Sequence, residues 1–114
     1  MNKLLSVSIL SLAIGFSANA MAAFQGPGIA PTTVAEALKL SDDTAVVLTG
    51  QIEKSLGNEK YQFKDASGTV VIEIDDEDWK GVDVRPEDVI VIRGEIDKDL
   101  LTTEIDVDSV ELKK

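Results

Sequence analysis

Cysteine and histidine are both absent from this chain of 114 residues. Their absence removes disulfide bonds, the thiolate nucleophile, the commonest general base and the usual zinc ligands. No serine and lysine have a spacing that indicates a nucleophile with its base. With 21 acidic residues, some carboxylates fall near one another by chance, so a carboxylate pair is not an argument for a glycosidase. We therefore expect no enzyme and no cofactor.

Basic and aromatic residues are also scarce. There are 11 lysine and arginine residues against 21 aspartate and glutamate residues, and only three Phe, one Tyr and one Trp. This excess of negative charge repels nucleic acids and anionic membranes unless a basic cluster offsets it. The sequence contains no such cluster, so we expect no nucleic-acid partner.

The longest apolar stretch lies at the N-terminus. Lys3 gives a positive start, Leu4–Phe16 is mostly apolar, and small residues follow. The stretch is too short for a membrane span and is typical of a secretory signal peptide. Cleavage is predicted after Ala20 or Ala22. We favour export, with residues 1–20 removed and no membrane insertion afterwards, over a retained hydrophobic anchor.

Residues 21–114 are enough for one domain. Without Lys3 they carry ten basic and 21 acidic residues, a net charge of −11.

A Gly- and Pro-rich lead-in over residues 24–31 has no periodicity and is expected to be irregular. Thr33 and Glu36 then form a capping-box pattern that opens a short helix over Thr33–Leu40.

Beyond the helix, the apolar period changes to two, which predicts strands. Gly50 indicates a bend in the first strand, and a bulge near Asp108 or Ser109 brings the end of the fifth into phase. Both faces of the first and fourth strands are apolar, and the run beginning at Val89 indicates that the fourth strand is either buried on both sides or central in the sheet. This favours a closed or nearly closed barrel over a flat sheet with one helix. The predicted strands are Thr44–Lys54, Lys60–Asp65, Thr69–Ile74, Asp88–Asp97 and Thr102–Leu112.

Several segments also carry a family resemblance. FQGPG, TVAEAL, DTAVVLTGQIEKSLGNEKYQFKDASGTVVIEID, PEDVIVIRGEIDKD and IDVDSVEL occur in this order between Phe24 and Leu112. Together they resemble the bacterial OB-fold (BOF) family of periplasmic stress-tolerance proteins, the YgiW/YdeI family. The resemblance implies an all-β, five-stranded OB-fold barrel with a short helix before strand 1 and no long helix between strands 3 and 4. It also implies a non-enzymatic, periplasmic role in tolerance of envelope or oxidative stress.

The outer face of strands 2 and 3 is the usual ligand surface of an OB-fold. Val70 and Ile72 are expected to point inward, and Tyr61 and Phe63 with them. The outer face then lacks aromatic side chains on which bases could stack, but it offers hydrogen-bonding groups for a glycan or peptide of the envelope. The predicted ligand-binding residues are Asn58, Lys60, Gln62, Lys64, Glu73 and Lys98.

Two features remain open to another reading. The acidic run Asp75–Asp78 is interpreted as a solvated helix start rather than a cation site, so no metal site is predicted. Trp79 is interpreted as a plug of the barrel rather than a ligand contact. The alternative function is an acidic interaction protein that sequesters cationic peptides or metal ions electrostatically. Added salt would weaken such capture but hardly affect a shaped site. We expect a monomer.

Overall fold

The computed structural model describes residues 29–114. The predicted signal peptide, both cleavage sites and residues 24–28 of the lead-in lie outside this range. A two-residue strand, Pro31–Thr32, runs parallel to the first long strand, so the predicted irregular lead-in ends one residue early. The remaining elements are α1 (Val34–Ala37), β1 (Ala45–Gly57), β2 (Lys60–Asp65), β3 (Gly68–Ile74), a 3-10 helix (Asp76–Trp79), β4 (Ile90–Lys98) and β5 (Thr103–Leu112).

The five long strands form a closed barrel in the order β1-β2-β3-β5-β4. Neighbours are antiparallel, except that β3 and β5 are parallel. The barrel closes through six pairs between β1 and β4, from Ala45 opposite Glu95 to Gly50 opposite Ile90. From Gln51 onward, β1 pairs with β2 instead. The predicted five-stranded barrel is confirmed, and its first and fourth strands form the closing pair.

Glycine stands at the point where β1 changes partner. A Cβ at Gly50 would collide with the carbonyl oxygen of Lys64 and lie 2.8 Å from Cζ of Phe63. The predicted bend at Gly50 is therefore a place of close backbone approach between strands. The predicted bulge in β5 is also found, because Arg93 pairs with Ser109 whereas Gly94 pairs with Val107, which leaves Asp108 as the extra residue.

The barrel interior is aliphatic apart from Phe63, which is fully buried as predicted. The apolar run at the start of β4 is buried on one face only, since Val91 is half-buried and Val89 is 40% exposed. Of the two predicted alternatives, burial on both sides is wrong, and a central strand is confirmed because β4 is hydrogen-bonded to β1 and to β5. The fully buried side chains on the strands are Val46, Leu48, Phe63, Ile72, Ile74, Ile90, Ile92, Ile96, Ile105 and Val107.

The helix α1 is held at its start by its own residues and by the β2–β3 hairpin. Thr33 and Glu36 form the predicted capping box. The amide of Val34 donates to Oδ2 of Asp65 at 2.9 Å, and the amide of Ala35 donates to Oγ of Ser67 at 2.9 Å. Val34 and Ala37 bury the inner face, but α1 ends at Ala37, three residues before the predicted end. The bond from the amide of Leu40 to the carbonyl of Ala37 shows that the chain has tightened into a turn.

Between β3 and β4 the chain makes a single 3-10 turn followed by irregular backbone. A long helix is absent from this stretch, as predicted. Within residues 29–114, no helix has the length and apolar character needed to cross a membrane.

Candidate functional site

The predicted ligand face places three polar side chains of β2 side by side. Lys60, Gln62 and Lys64 alternate with the inward Tyr61 and Phe63, and Lys60 is paired with Glu73 of β3. Their polar ends already have protein partners. Lys60 Nζ lies 3.1 Å from both carboxylate oxygens of Glu104, Lys64 Nζ lies 3.5 Å from Oε2 of Glu53, and Gln62 Nε2 donates to Oε1 of Glu53 at 2.8 Å.

These partners also set the protonation behaviour of the face. The hydrogen bond and the charge of Glu104 raise the pKa of Lys60. The hydrogen bond from Gln62 outweighs partial burial and, with the charge of Lys64, lowers the pKa of Glu53. The raised pKa keeps Lys60 charged at neutral pH. A carboxylate lies next to each of the two lysines, so the positive charge of Lys60 and Lys64 is largely compensated within the face.

The two remaining predicted residues lie at its margins. Asn58 is in the β1–β2 turn, where it adopts a left-handed backbone with φ of 55°. Lys98, at the end of β4, turns toward the connection between α1 and β1. Its amide donates to Oδ1 of Asp42 at 2.8 Å and its Nζ donates to the carbonyl of Leu38 at 3.3 Å. The structure thus groups Lys60, Gln62, Lys64 and Glu73 and directs Lys98 elsewhere; ligand binding by the six residues stays a prediction.

Beside this face lies an acidic cluster that we define as Glu59, Glu73 and Asp75. One carboxylate oxygen of each lies within 4.8 Å of the others. Burial and the charge of Asp106 raise the pKa of Glu73, whereas burial and the charge of Glu59 raise that of Asp75. Of the acidic run singled out in the sequence, only Asp75 takes part. Carboxylates crowd together on so acidic a surface without an ion, so this cluster does not by itself make a metal site.

A cleft of about 530 Å³ opens between β1 and the segment that follows the 3-10 helix. Tyr61 and Trp79 meet in it edge to face, with ring centroids 5.5 Å apart and planes at 81°. Both rings are half-buried and pack against the barrel core, as does Val84. Trp79 therefore packs against the barrel core and also lines the cleft, and its role as a plug of the barrel stays a prediction. The lining residues are Ile52, Glu53, Lys54, Ser55, Tyr61, Trp79, Gly81, Val82, Asp83, Val84, Arg85 and Pro86.

The walls of the cleft follow from local backbone geometry. Lys80 and Gly81 both have positive φ, 50° and 82°, and turn the chain sharply after Trp79. The bond from Gln51 Nε2 to the carbonyl of Glu87, 3.3 Å long, ties the following segment to β1. Sequence reasoning missed this wall. The alternation of Val82 and Val84 close to the single tryptophan could have indicated an apolar surface here. The acidic residues around these positions instead favoured the interpretation of a solvated segment.

Comparison with known proteins agrees with the barrel geometry. The family described as Bacterial OB fold (BOF) protein matches residues 15–112. The chain belongs to the BOF family. It is 45% identical over 109 residues to the calcium-regulated OB-fold protein CarO of Pseudomonas aeruginosa, covering 92% of this chain and 94% of CarO. It is 48% identical over 79 residues to YgiW of Escherichia coli K12, covering 69% and 61% of the two chains.

Solved structures place this BOF chain among OB-folds. The structure of YgiW from E. coli is similar with a TM-score of 0.74 and 46% identity, covering 79% of this chain and 97% of that chain. The telomere capping protein Ten1 of S. pombe has a TM-score of 0.60 at 14% identity, covering 75% and 81%, and shows the fold alone. The name of CarO denotes an OB-fold protein, and neither its name nor that of YgiW denotes an enzyme.

Proposed function

We propose that this BOF protein is a non-enzymatic binding protein of the bacterial periplasm that contributes to tolerance of envelope or oxidative stress. The family assignment supports a binding role on an OB-fold. The N-terminal sequence supports export. The ligand is a glycan or a peptide of the envelope.

The observation that carries this proposal is the cleft at Tyr61 and Trp79. Ligand sites are commonly concave and largely apolar, with a few polar groups at the rim. The cleft combines two aromatic rings and the apolar side chains of Ile52 and Val84 with charged groups such as Arg85. The outer face of β2 is less suited, because Glu53 and Glu104 already occupy its lysines.

Chemical-shift mapping tests where the ligand binds. The 15N-labelled mature domain is titrated separately with soluble peptidoglycan fragments and with a basic peptide, each at low and high salt. We expect shifts at Tyr61, Trp79 and residues 82–86 that persist at high salt. Shifts clustered at Lys60–Lys64 and Glu73 would show that the ligand binds on the outer face of β2 and β3 and not in the cleft.

Electrostatic capture of cationic peptides or metal ions is the alternative function. It predicts shifts spread over Asp75–Asp78 and the acidic cluster that disappear when salt is added, since exposed charges are screened within about 8–10 Å at physiological ionic strength. That outcome would contradict a shaped site.

A further inference from the structure

The cleft lies along a strand edge that has no partner. β1 pairs with β4 only as far as Gly50, and from Gln51 to Gly57 its pairing is with β2. Among residues 29–114, no other strand pairs with this second half of β1. Within the described part of the chain, no backbone hydrogen bond outside the strand ladders involves residues 52–56 either. The ladder with β2 shifts register between Ile52 and Lys54 and again between Ser55 and Gly57, so this half of β1 is bulged. Its backbone groups that point away from β2 have no strand partner within residues 29–114.

The unpaired edge is lined by side chains suited to an extended chain. The cleft includes the four consecutive β1 residues 52–55, a length of about 13 Å at the usual rise of a strand. Opposite them, Val82, Val84 and Trp79 supply apolar surface. An added strand could hydrogen-bond to β1 while directing every second side chain onto this surface.

The negative charge of the protein favours an extended ligand that is positively charged. The acidic run Asp75–Asp78 leads directly into Trp79, and Asp83 lies in the opposite wall. Lys54 and Arg85 also line the cleft, but residues 29–114 carry 21 acidic and ten basic residues in total. The long-range field therefore attracts a positively charged chain and repels an acidic one, including a second copy of this protein.

We propose that the cleft binds a basic peptide segment in extended conformation, added as an extra strand to the edge of β1 at residues 52–55, with apolar side chains at alternate positions facing Trp79 and Val84. The inference rests on the proposed function of the cleft and names its ligand class. It differs from electrostatic capture because it requires backbone hydrogen bonds in one register.

The test uses a short, end-blocked peptide of alternating lysine and valine, titrated into the mature domain. Trp79 is the only tryptophan, so its fluorescence reports binding at the cleft. Two further peptides carry backbone N-methyl groups, one on the valines and the other on the lysines. In a strand, alternate amides face the same edge, so one methylated peptide loses its bonds to β1 and the other keeps them. We expect about tenfold or greater loss of affinity for one of them and little change for the other.

A matched pair of variants locates the site. Val84→Arg fills the cleft and adds a positive charge, whereas Val89→Arg makes the same change at an exposed valine outside it. Val84→Arg is expected to abolish binding of the lysine–valine peptide and Val89→Arg to leave it unchanged. Thermal melts of both variants establish that they are folded. The amides of residues 52–55 should also become protected from hydrogen exchange when the parent peptide binds.

Equal binding of the two methylated peptides would overturn strand addition, as would failure of the parent peptide to bind. The proposed function fails separately, when neither peptides nor peptidoglycan fragments shift the cleft residues. If peptidoglycan fragments shift Trp79 and residues 82–86 while the lysine–valine peptide does not bind, the cleft remains a ligand site and the peptide assignment is wrong.

Discussion

At Gly50 the backbones of β1 and β2 approach each other so closely that a Cβ has no room. The obstacle is the carbonyl oxygen of Lys64, which is main chain and cannot rotate away, together with the ring of the fully buried Phe63. This one residue lets β1 turn from β4 to β2 and close the barrel.

Gly50→Ala is expected to destabilise the domain by about 1–3 kcal/mol or more, as forced overpacking does. Urea unfolding followed by circular dichroism measures the loss. Gly81→Ala is the control, because nothing lies within 4 Å of its Cβ position although its φ is positive. It should cost about 1 kcal/mol from backbone strain alone. A smaller effect at Gly50 than at Gly81 would contradict the close approach.

Two glutamates should respond in opposite directions to the same substitution. Burial and the charge of Asp106 raise the pKa of Glu73. At a pH above this pKa, the ionised carboxylate therefore lowers the free energy of unfolding, and this destabilisation disappears as the pH falls and Glu73 becomes protonated. The hydrogen bond from Thr32 lowers the pKa of Glu36, so its contribution is present at neutral pH and is lost as pH falls through the folded-state pKa. Glu73→Gln should therefore stabilise the domain at pH 7 and Glu36→Gln should destabilise it.

Thermal melts between pH 3 and pH 7 measure both variants against the parent protein. The two differences should shrink as the carboxyl groups become protonated, since glutamine resembles neutral glutamic acid. A destabilising Glu73→Gln at pH 7 would show that its pairing with Lys60 outweighs its burial and its acidic neighbours.

Among the elements, the contact between α1 and the β2–β3 hairpin includes one carboxylate that serves both sides. Asp65 accepts from the amide of Val34 through Oδ2 and from the amide and hydroxyl of Ser67 through Oδ1. Burial alone would raise the pKa of Asp65, but these hydrogen bonds hold it below its usual value. A helix of one turn has little stability of its own, so α1 depends on such tertiary anchors.

Asp65→Ala is expected to cost about 1–3 kcal/mol at pH 7, because it leaves the amides of Val34 and Ser67 without their acceptor. A group with a lowered pKa contributes above its unfolded value, near 3.9, and loses that contribution as pH falls through the folded-state pKa. The difference from the parent protein in urea unfolding should therefore narrow below about pH 4. A difference that is constant down to pH 2 would mean that the charge of Asp65 has no role.

The same elements show why the fold could be predicted from the sequence. Alternation of apolar residues is a local signal, and it located β2 at its observed ends and the other strands to within a few residues. The capping box at Thr33 and Glu36 was equally local. The end of α1 was missed because packing against the hairpin and the turn at Leu40, rather than helix propensity, determine it.

The functional surface was less predictable because it depends on contacts between distant segments. The outward direction of Lys60 and Lys64 followed from strand parity, but their neutralisation by Glu104 and Glu53 depends on how the strands pair. The cleft forms only where residues 81–86 fold back beside β1, and the turn at Lys80 and Gly81 that sends them there has no strong sequence signature.

At the scale of the whole molecule, charge and surface chemistry argue against nucleic-acid binding. The domain carries a net charge of −11, and the outward positions of β2 and β3 hold no aromatic side chain. The mature domain should not retain single-stranded DNA or RNA at physiological salt. A gel-shift assay measures this binding, and micromolar affinity for either single-stranded DNA or RNA would contradict the prediction.

The central claim is that the cleft, not the charged outer face, binds the ligand. The most direct measurement is capture of envelope molecules from periplasmic extract on the immobilised mature protein and on its Val84→Arg and Val89→Arg variants, quantified by mass spectrometry at low and high salt. The parent protein and Val89→Arg should retain the same molecules at both salt concentrations, and Val84→Arg should lose them. Capture that Val84→Arg leaves intact, or that high salt removes from all three proteins, would contradict the claim.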